Sequence, residues 1–175
     1  ENTVNAQIPA GFTLREVEND RRLTEMEFYI KTSGPTKKIE DILKDNGYCA
    51  YVSNVDLQGS IKGFIDLIFE YKEKYYVLDW KSNHLGYDLE NYNQANLEAA
   101  MSANNYHLQY LFYSVALKRY LQNRGMDFKD CFGGVLYLYL RGLRSGKNSG
   151  IYYKAASELI EVVDELDNYL VCLGE

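Results

Sequence analysis

The chain has 175 residues, 46% hydrophobic and 25% charged with only 2 prolines, a composition that fits one soluble globular domain with a sizeable core. Its net charge of -6 counts against strong unaided binding to nucleic acid, which calls for a basic face, but not against an enzyme supplied with nucleic acid by other domains. No apolar run nears the roughly 20 residues of a membrane span and the polar start ENTVNAQIPAG is no secretory signal, so no membrane and a cytoplasmic location are expected.

The first residue is Glu rather than Met, and the chain is expected to be a C-terminal piece of something longer. Residues 1–24 show little periodicity and are expected to be a leading segment. TEMEFYIKT (24–32) alternates weakly, as a strand or a short helix would. PTKKIEDILKDNG opens on Pro35 and closes on Gly47, the punctuation of a short helix. Two apolar runs follow, Ile61 to Phe69 and Tyr75 to Trp80, and then the loop SNHLGYD. Helical spacing returns over Asn91 to Met101 and over Tyr106 to Asn123. In the second of these Leu108, Leu111, Phe112, Val115 and Leu121 form an apolar stripe that Gly125 ends. GGVLYLYL (133–140) is a buried strand by composition, and AASELIEVVDELDNYL is an amphipathic helix. This order predicts an α/β or α+β sheet with helices packed on it, in a single domain over 1–175. The 17 Tyr admit two uses, core packing with polar tips or a surface on which bases stack, and packing is expected for most of them. Cys49, Cys131 and Cys172 are odd in number and show no metal spacing, so they are expected as reduced core thiols.

The two apolar runs each carry one acid among buried-looking neighbours, Asp66 and Asp79. The short charged linker makes them an antiparallel hairpin. A loop of Lys72–Glu73, or of Tyr71 to Lys74, gives the same register, in which paired residue numbers add to 145 and Asp66 faces Asp79. A loop of three or five residues shifts it. Directly opposed residues have Cβ atoms about 4.5–5.5 Å apart, and like charges there destabilise the sheet. Either one acid takes a proton or a cation sits between them. A hard divalent ion such as Mg²⁺, which keeps several waters, suits an open two-carboxylate site. Strand alternation puts Lys81 on the side of Asp79, where a lysine can orient an attacking water and stabilise charge developing on a phosphate. The bland alternatives are a solvent-facing acid pair and an Asp79–Lys81 surface salt bridge.

GFID, LDWKSN and LQYLFYSVALKRYL in this order resemble the C-terminal nuclease domain of the RecB subunit of exodeoxyribonuclease V, within the PD-(D/E)xK nuclease superfamily. The likeness runs from about Arg22 to Arg141. It implies a restriction-endonuclease-like mixed sheet flanked by helices. It also implies Asp66 and Asp79 as metal ligands with the main-chain carbonyl of Trp80, Lys81 as the catalytic lysine, and Glu27 as a further acid near the site. Gln109 and Tyr113 match a Gln-x-x-x-Tyr motif, and positions i and i+4 share a helix face, so both can hold one substrate strand. The implied function is a Mg²⁺-dependent deoxyribonuclease, with Mn²⁺ able to substitute, in a RecBCD-type helicase-nuclease of DNA repair and recombination. The implied partners are DNA, RecC-type and RecD-type subunits and the recombinase RecA. A non-catalytic module that docks a RecC-type subunit and loads RecA is the alternative.

One departure limits the likeness. The family carries a metal-binding histidine upstream, whereas no histidine precedes residue 27 here, and His84 and His107 follow the core motif. The four-cysteine iron–sulfur cluster of some relatives has only Cys172 near the end of this chain, so no cluster is expected. GLRSGKNSG (142–150) departs from a phosphate-binding loop in spacing and has Asn148 in place of the required Ser or Thr; it is expected as a surface loop.

Overall fold

The hairpin expected around the two acids lies at the middle of a five-stranded sheet. The computed structural model describes residues 1–48 and 56–172. In chain order the elements are β1 (Gln7–Ile8), β2 (Phe12–Thr13), β3 (Arg22–Pro35), α1 (Thr36–Asp45), β4 (Asp56–Tyr71) and β5 (Lys74–Lys81). After these come α2 (Gln94–Ala103), α3 (Tyr106–Gln122), α4 (Phe128–Cys131), β6 (Phe132–Tyr139), β7 (Ile151–Ala155) and α5 (Ile160–Cys172). The sheet order is β3-β4-β5-β6-β7, antiparallel throughout except for the parallel pair β5 and β6. This is the sheet with helices packed on it that the element order predicts, and the mixed sheet that the resemblance implies.

Two cores explain why the central strands are dry on both sides. On one face Ile65, Ile68, Val77, Val135 and Tyr137 pack against α3 and α5 through residues such as Leu111, Val115, Val163 and Leu166. On the other, Leu67, Phe69, Tyr76, Leu78, Leu136 and Leu138 are covered by Ala6, Ile8, Phe12, Leu14 and Val17. The leading segment is therefore a packing layer, and its small β1–β2 ribbon closes the second core. All eight residues of β6 are buried, as expected for a strand covered on both faces.

TEMEFYIKT settles as strand, with Phe28 and Ile30 buried toward the helices and Tyr29 outward. The apolar stripe understates α3, which is buried nearly all round; even Ser114 and Lys118 are inside. Strand β7 has no counterpart in the sequence reading, and a turn of 3-10 helix at Ala156–Glu158 delays α5 to Ile160. Cys131 is a free, half-buried thiol. Cys49 and the side chain of Cys172 lie outside the described residues. Among the described residues no helix is long and apolar enough to cross a membrane.

Candidate active site

The sheet forks where the two acids lie. The β4–β5 ladder starts at Tyr71↔Lys74 around the Lys72–Glu73 turn and runs to Leu67↔Leu78, so its numbers add to 145 as expected. The next pair would be Asp66 with Asp79, and the ladder stops short of it. From there β4 stays with β3, while β5 stays with β6 through Asp79↔Tyr137 and Lys81↔Tyr139. Asp66 enters the fork with its carboxylate, which accepts the Trp80 amide at 3.0 Å.

Strand alternation also breaks at Asp66. Ile65 packs in the helix-side core and Leu67 in the opposite one. Across the ribbon the residue in register with Asp66 is Glu25, between Thr24↔Leu67 and Met26↔Ile65, and its φ is 52°. A non-glycine in this left-handed region costs about 1–2 kcal/mol, so the twist is held by its surroundings.

Main-chain direction fixes the third oxygen. The Lys81 carbonyl accepts the Leu140 amide across β6 at 3.0 Å. By alternation Trp80 turns its amide and carbonyl to the other edge of β5, where the amide meets Asp66. Two carboxylates and a main-chain carbonyl thus converge on the fork. This hard-oxygen donor set fits Mg²⁺, which binds through a few protein oxygens and keeps waters for the rest. Among the described residues no group of three or more His, Cys, Asp or Glu side chains gathers around a metal-sized point, so the side-chain share of such a site is two acids.

Asp79 is 3% exposed and Lys81 8%, and they form an ion pair at 2.6 Å. Burial raises the Asp79 carboxyl above the usual carboxylate value; Lys81 opposes this and the Asp66 charge adds to it. The bland reading of a surface salt bridge is excluded by this burial. The Lys81 ammonium also donates to Gln109 Oε1 at 3.0 Å and lies 3.9 Å from the Tyr106 ring centroid and 4.9 Å from that of Tyr137. Gln109 Oε1 accepts the Tyr137 hydroxyl at 2.9 Å as well, and its Nε2 donates to the Tyr113 hydroxyl at 2.9 Å. Burial, with the charges of Asp79 and Asp66 behind it, pushes the Tyr113 phenol up to about 12.

The structure thus brings together Asp66, Asp79, Trp80, Lys81, Gln109 and Tyr113. It does not bring Glu27 to them. With Phe28 buried, alternation turns Glu27 outward, where it is ion-paired with Lys62 and its carboxyl is held below the usual range mainly by that lysine. His107 is buried elsewhere, against Ser102, Glu98 and Tyr110, and His84 is exposed in the loop after Lys81. Tyr106 and Tyr137 escape the sequence reading as site residues. Tyr137 was findable in principle: once β6 runs parallel to β5, the period-two run GGVLYLYL puts it beside Asp79.

A model of the PD-(D/E)XK nuclease superfamily matches residues 8–175. The RecBCD enzyme subunit RecB of Escherichia coli is 37% identical over 166 residues, covering 89% of this chain and 14% of that protein. The subunit of the same name from Haemophilus influenzae is 38% identical over 163 residues, with 90% and 13% covered. That of Borreliella burgdorferi is 35% identical over 136 residues, with 74% and 12% covered. The chain spans only 12–14% of the length of these curated relatives. With its mixed sheet and a match over nearly its whole length, the chain belongs to the PD-(D/E)XK nuclease superfamily.

Proposed function

We propose that this chain is the Mg²⁺-dependent deoxyribonuclease domain of a RecBCD-type helicase-nuclease. The observation that carries the reading is the buried Asp79–Lys81 pair set beside Asp66 at the fork of the sheet. A buried ion pair is weak as a stabilising device, because desolvation consumes most of its attraction. Two acids and a lysine kept there point to chemistry rather than to stability, and a module that only docks a partner has no need of them.

Asp66, Asp79 and the Trp80 carbonyl would hold the ion. When bound, it would neutralise charge on the scissile phosphate and make water a better nucleophile. The chain's own residues do the rest. Lys81 has three donors, and with Asp79 and Gln109 taking two, a third is left for the attacking water or a non-bridging phosphate oxygen. The rings of Tyr106 and Tyr137 flank the ammonium and limit its rotation. Gln109 acts as a positioning residue for Lys81, and Glu27 has no part in the proposed chemistry. The net charge of -6 agrees with a domain that cuts strands delivered to it by a motor in the same assembly.

The test is Asp79→Ala in the full-length assembly. Mg²⁺-dependent cleavage should vanish while DNA unwinding continues at the wild-type rate. Cleavage that persists undiminished would sink the assignment.

A further inference from the structure

The loop between β6 and β7 carries Arg141, Arg144 and Lys147 and no acid over residues 140–150, in a chain that is acidic as a whole. It is a built structure: Ser149 donates to the Gly142 carbonyl at 2.8 Å, and the Gly150 amide donates to that of Tyr92 at 3.1 Å. Elsewhere cations are commonly tied to acids, as Lys62 is to Glu27 and Lys154 to Glu158. Arg141 and Arg144 form no ion pair among the described residues. Their bonds go to main-chain carbonyls, Arg141 to Ser82 at 3.2 Å and Arg144 to Arg141 at 3.2 Å and Leu143 at 2.7 Å. Each guanidinium has five N–H donors, so these bonds fix the arms and leave donors over.

Facing them is the loop that follows Lys81. His84 and Tyr87 meet edge to face at 4.8 Å, and Tyr87 is 97% exposed. Gly86 takes φ 149°, and a Cβ there would lie 2.2 Å from the Asn91 side chain, so the loop is shaped to hold Tyr87 out. The two arginines, His84 and Tyr87 line a cleft of about 190 Å³ whose acid is Asp88. The cleft adjoins the fork: Leu140 donates to the Lys81 carbonyl and Arg141 to that of the next residue, Ser82.

We infer that this cleft is the substrate-strand subsite next to the scissile phosphate, where Arg141 and Arg144 take the phosphodiester backbone of a single strand and an unpaired base stacks on Tyr87. The inference rests on the nuclease reading of the adjoining site. A single strand is specified because only an unpaired base presents its face to an exposed ring, and such stacking tolerates any sequence. Planar guanidiniums suit bidentate phosphate contact.

The test is photocrosslinking of an iodouridine-substituted oligothymidylate to the full-length protein with Ca²⁺ present, with the crosslinked peptide mapped. Tyr87 should be crosslinked, and R141A/R144A should lower the yield there about tenfold, while R141K/R144K lowers it less. Tyr87→Ala, which removes no core contact, should slow cleavage of short single strands about tenfold. A Tyr87 yield unchanged in R141A/R144A, while Asp79→Asn abolishes cleavage, overturns the subsite and leaves the nuclease reading standing. Docking of a protein partner lost in R141A/R144A with the Tyr87 crosslink intact overturns it too. Wild-type cleavage by Asp79→Asn instead overturns the nuclease reading, and the placing of the strand falls with it.

Discussion

The Gln109 side-chain oxygen holds the Lys81 ammonium at 3.0 Å and is itself held by the Tyr137 hydroxyl at 2.9 Å. Its amide nitrogen donates to the Tyr113 hydroxyl at 2.9 Å, and the Lys81 ammonium, which can only donate, fixes which way the amide faces. Gln109→Leu should therefore let Lys81 drift. A displacement of about 1 Å near the chemistry can cost about 100-fold in rate, so kcat should fall by about that factor with KM little changed. The check is steady-state cleavage by the full-length protein. A raised KM at unchanged kcat would mean that Gln109 contacts the strand directly and does not position the lysine.

Lys72 and Glu73 turn the β4–β5 hairpin with φ values of 50° and 62°, both left-handed. A two-residue turn of this kind prefers Asn-Gly. Lys72→Asn/Glu73→Gly should stabilise the protein by about 1–2 kcal/mol and raise the thermal midpoint, with cleavage unchanged because the register stays the same. A lower midpoint would mean that the turn does not have this conformation.

The hairpin was legible because Lys72–Glu73 and Tyr71 to Lys74 both yield the observed register. The common face of Gln109 and Tyr113 was legible from helical geometry alone. What that face touches was not, since it depends on β6 lying parallel to β5, and a parallel neighbour is chosen by long-range packing that leaves no local mark. The break in alternation at Asp66 was also hidden: its partner in register is Glu25, and left-handed backbone is read from glycine or asparagine, not from glutamate. Once β3 is known to be a strand, Phe28 and Ile30 turn Glu27 away; the weak alternation of TEMEFYIKT left strand and helix open. Lys118 broke the apolar pattern of α3 because its acid partners lie on α5, far along the chain.

Burial lowers the His107 imidazole below its usual value, against the pull of Glu98, and Lys154 lowers it further. Its Nε2 lies 3.1 Å from the Ser102 hydroxyl and 3.4 Å from Glu98, and its Nδ1 lies 3.1 Å from the Tyr110 hydroxyl. The native state therefore holds a proton on His107 less tightly than the unfolded chain, whose value is about 6.5. Below about pH 6.5 the unfolded state binds the extra proton and stability falls; above it the group contributes no slope. Denaturant unfolding should show stability dropping from about pH 7 to about pH 5.5, and His107→Gln should flatten that drop. An equal drop in the variant assigns the slope to other groups.

Asp167 joins α3 to α5 by accepting Lys118 at 2.8 Å and Arg119 at 2.8 Å, while Lys118 also reaches Asp164 at 2.9 Å. Lys118 and Asp167 are both buried. Asp167→Ala leaves the buried Lys118 with Asp164 alone and takes the acid from Arg119, so it should destabilise, by less than the roughly 3–5 kcal/mol of a buried charge left with no partner. Replacing the pair by apolar groups of similar size avoids that penalty, and Lys118→Met/Asp167→Leu should destabilise less than Asp167→Ala alone. Denaturant midpoints of the three proteins decide it. A double variant less stable than the single one would show that these charges contribute more through their mutual attraction than they lose by burial, and that α5 is fixed to α3 by ions rather than by the Val163 and Leu166 contacts of the core.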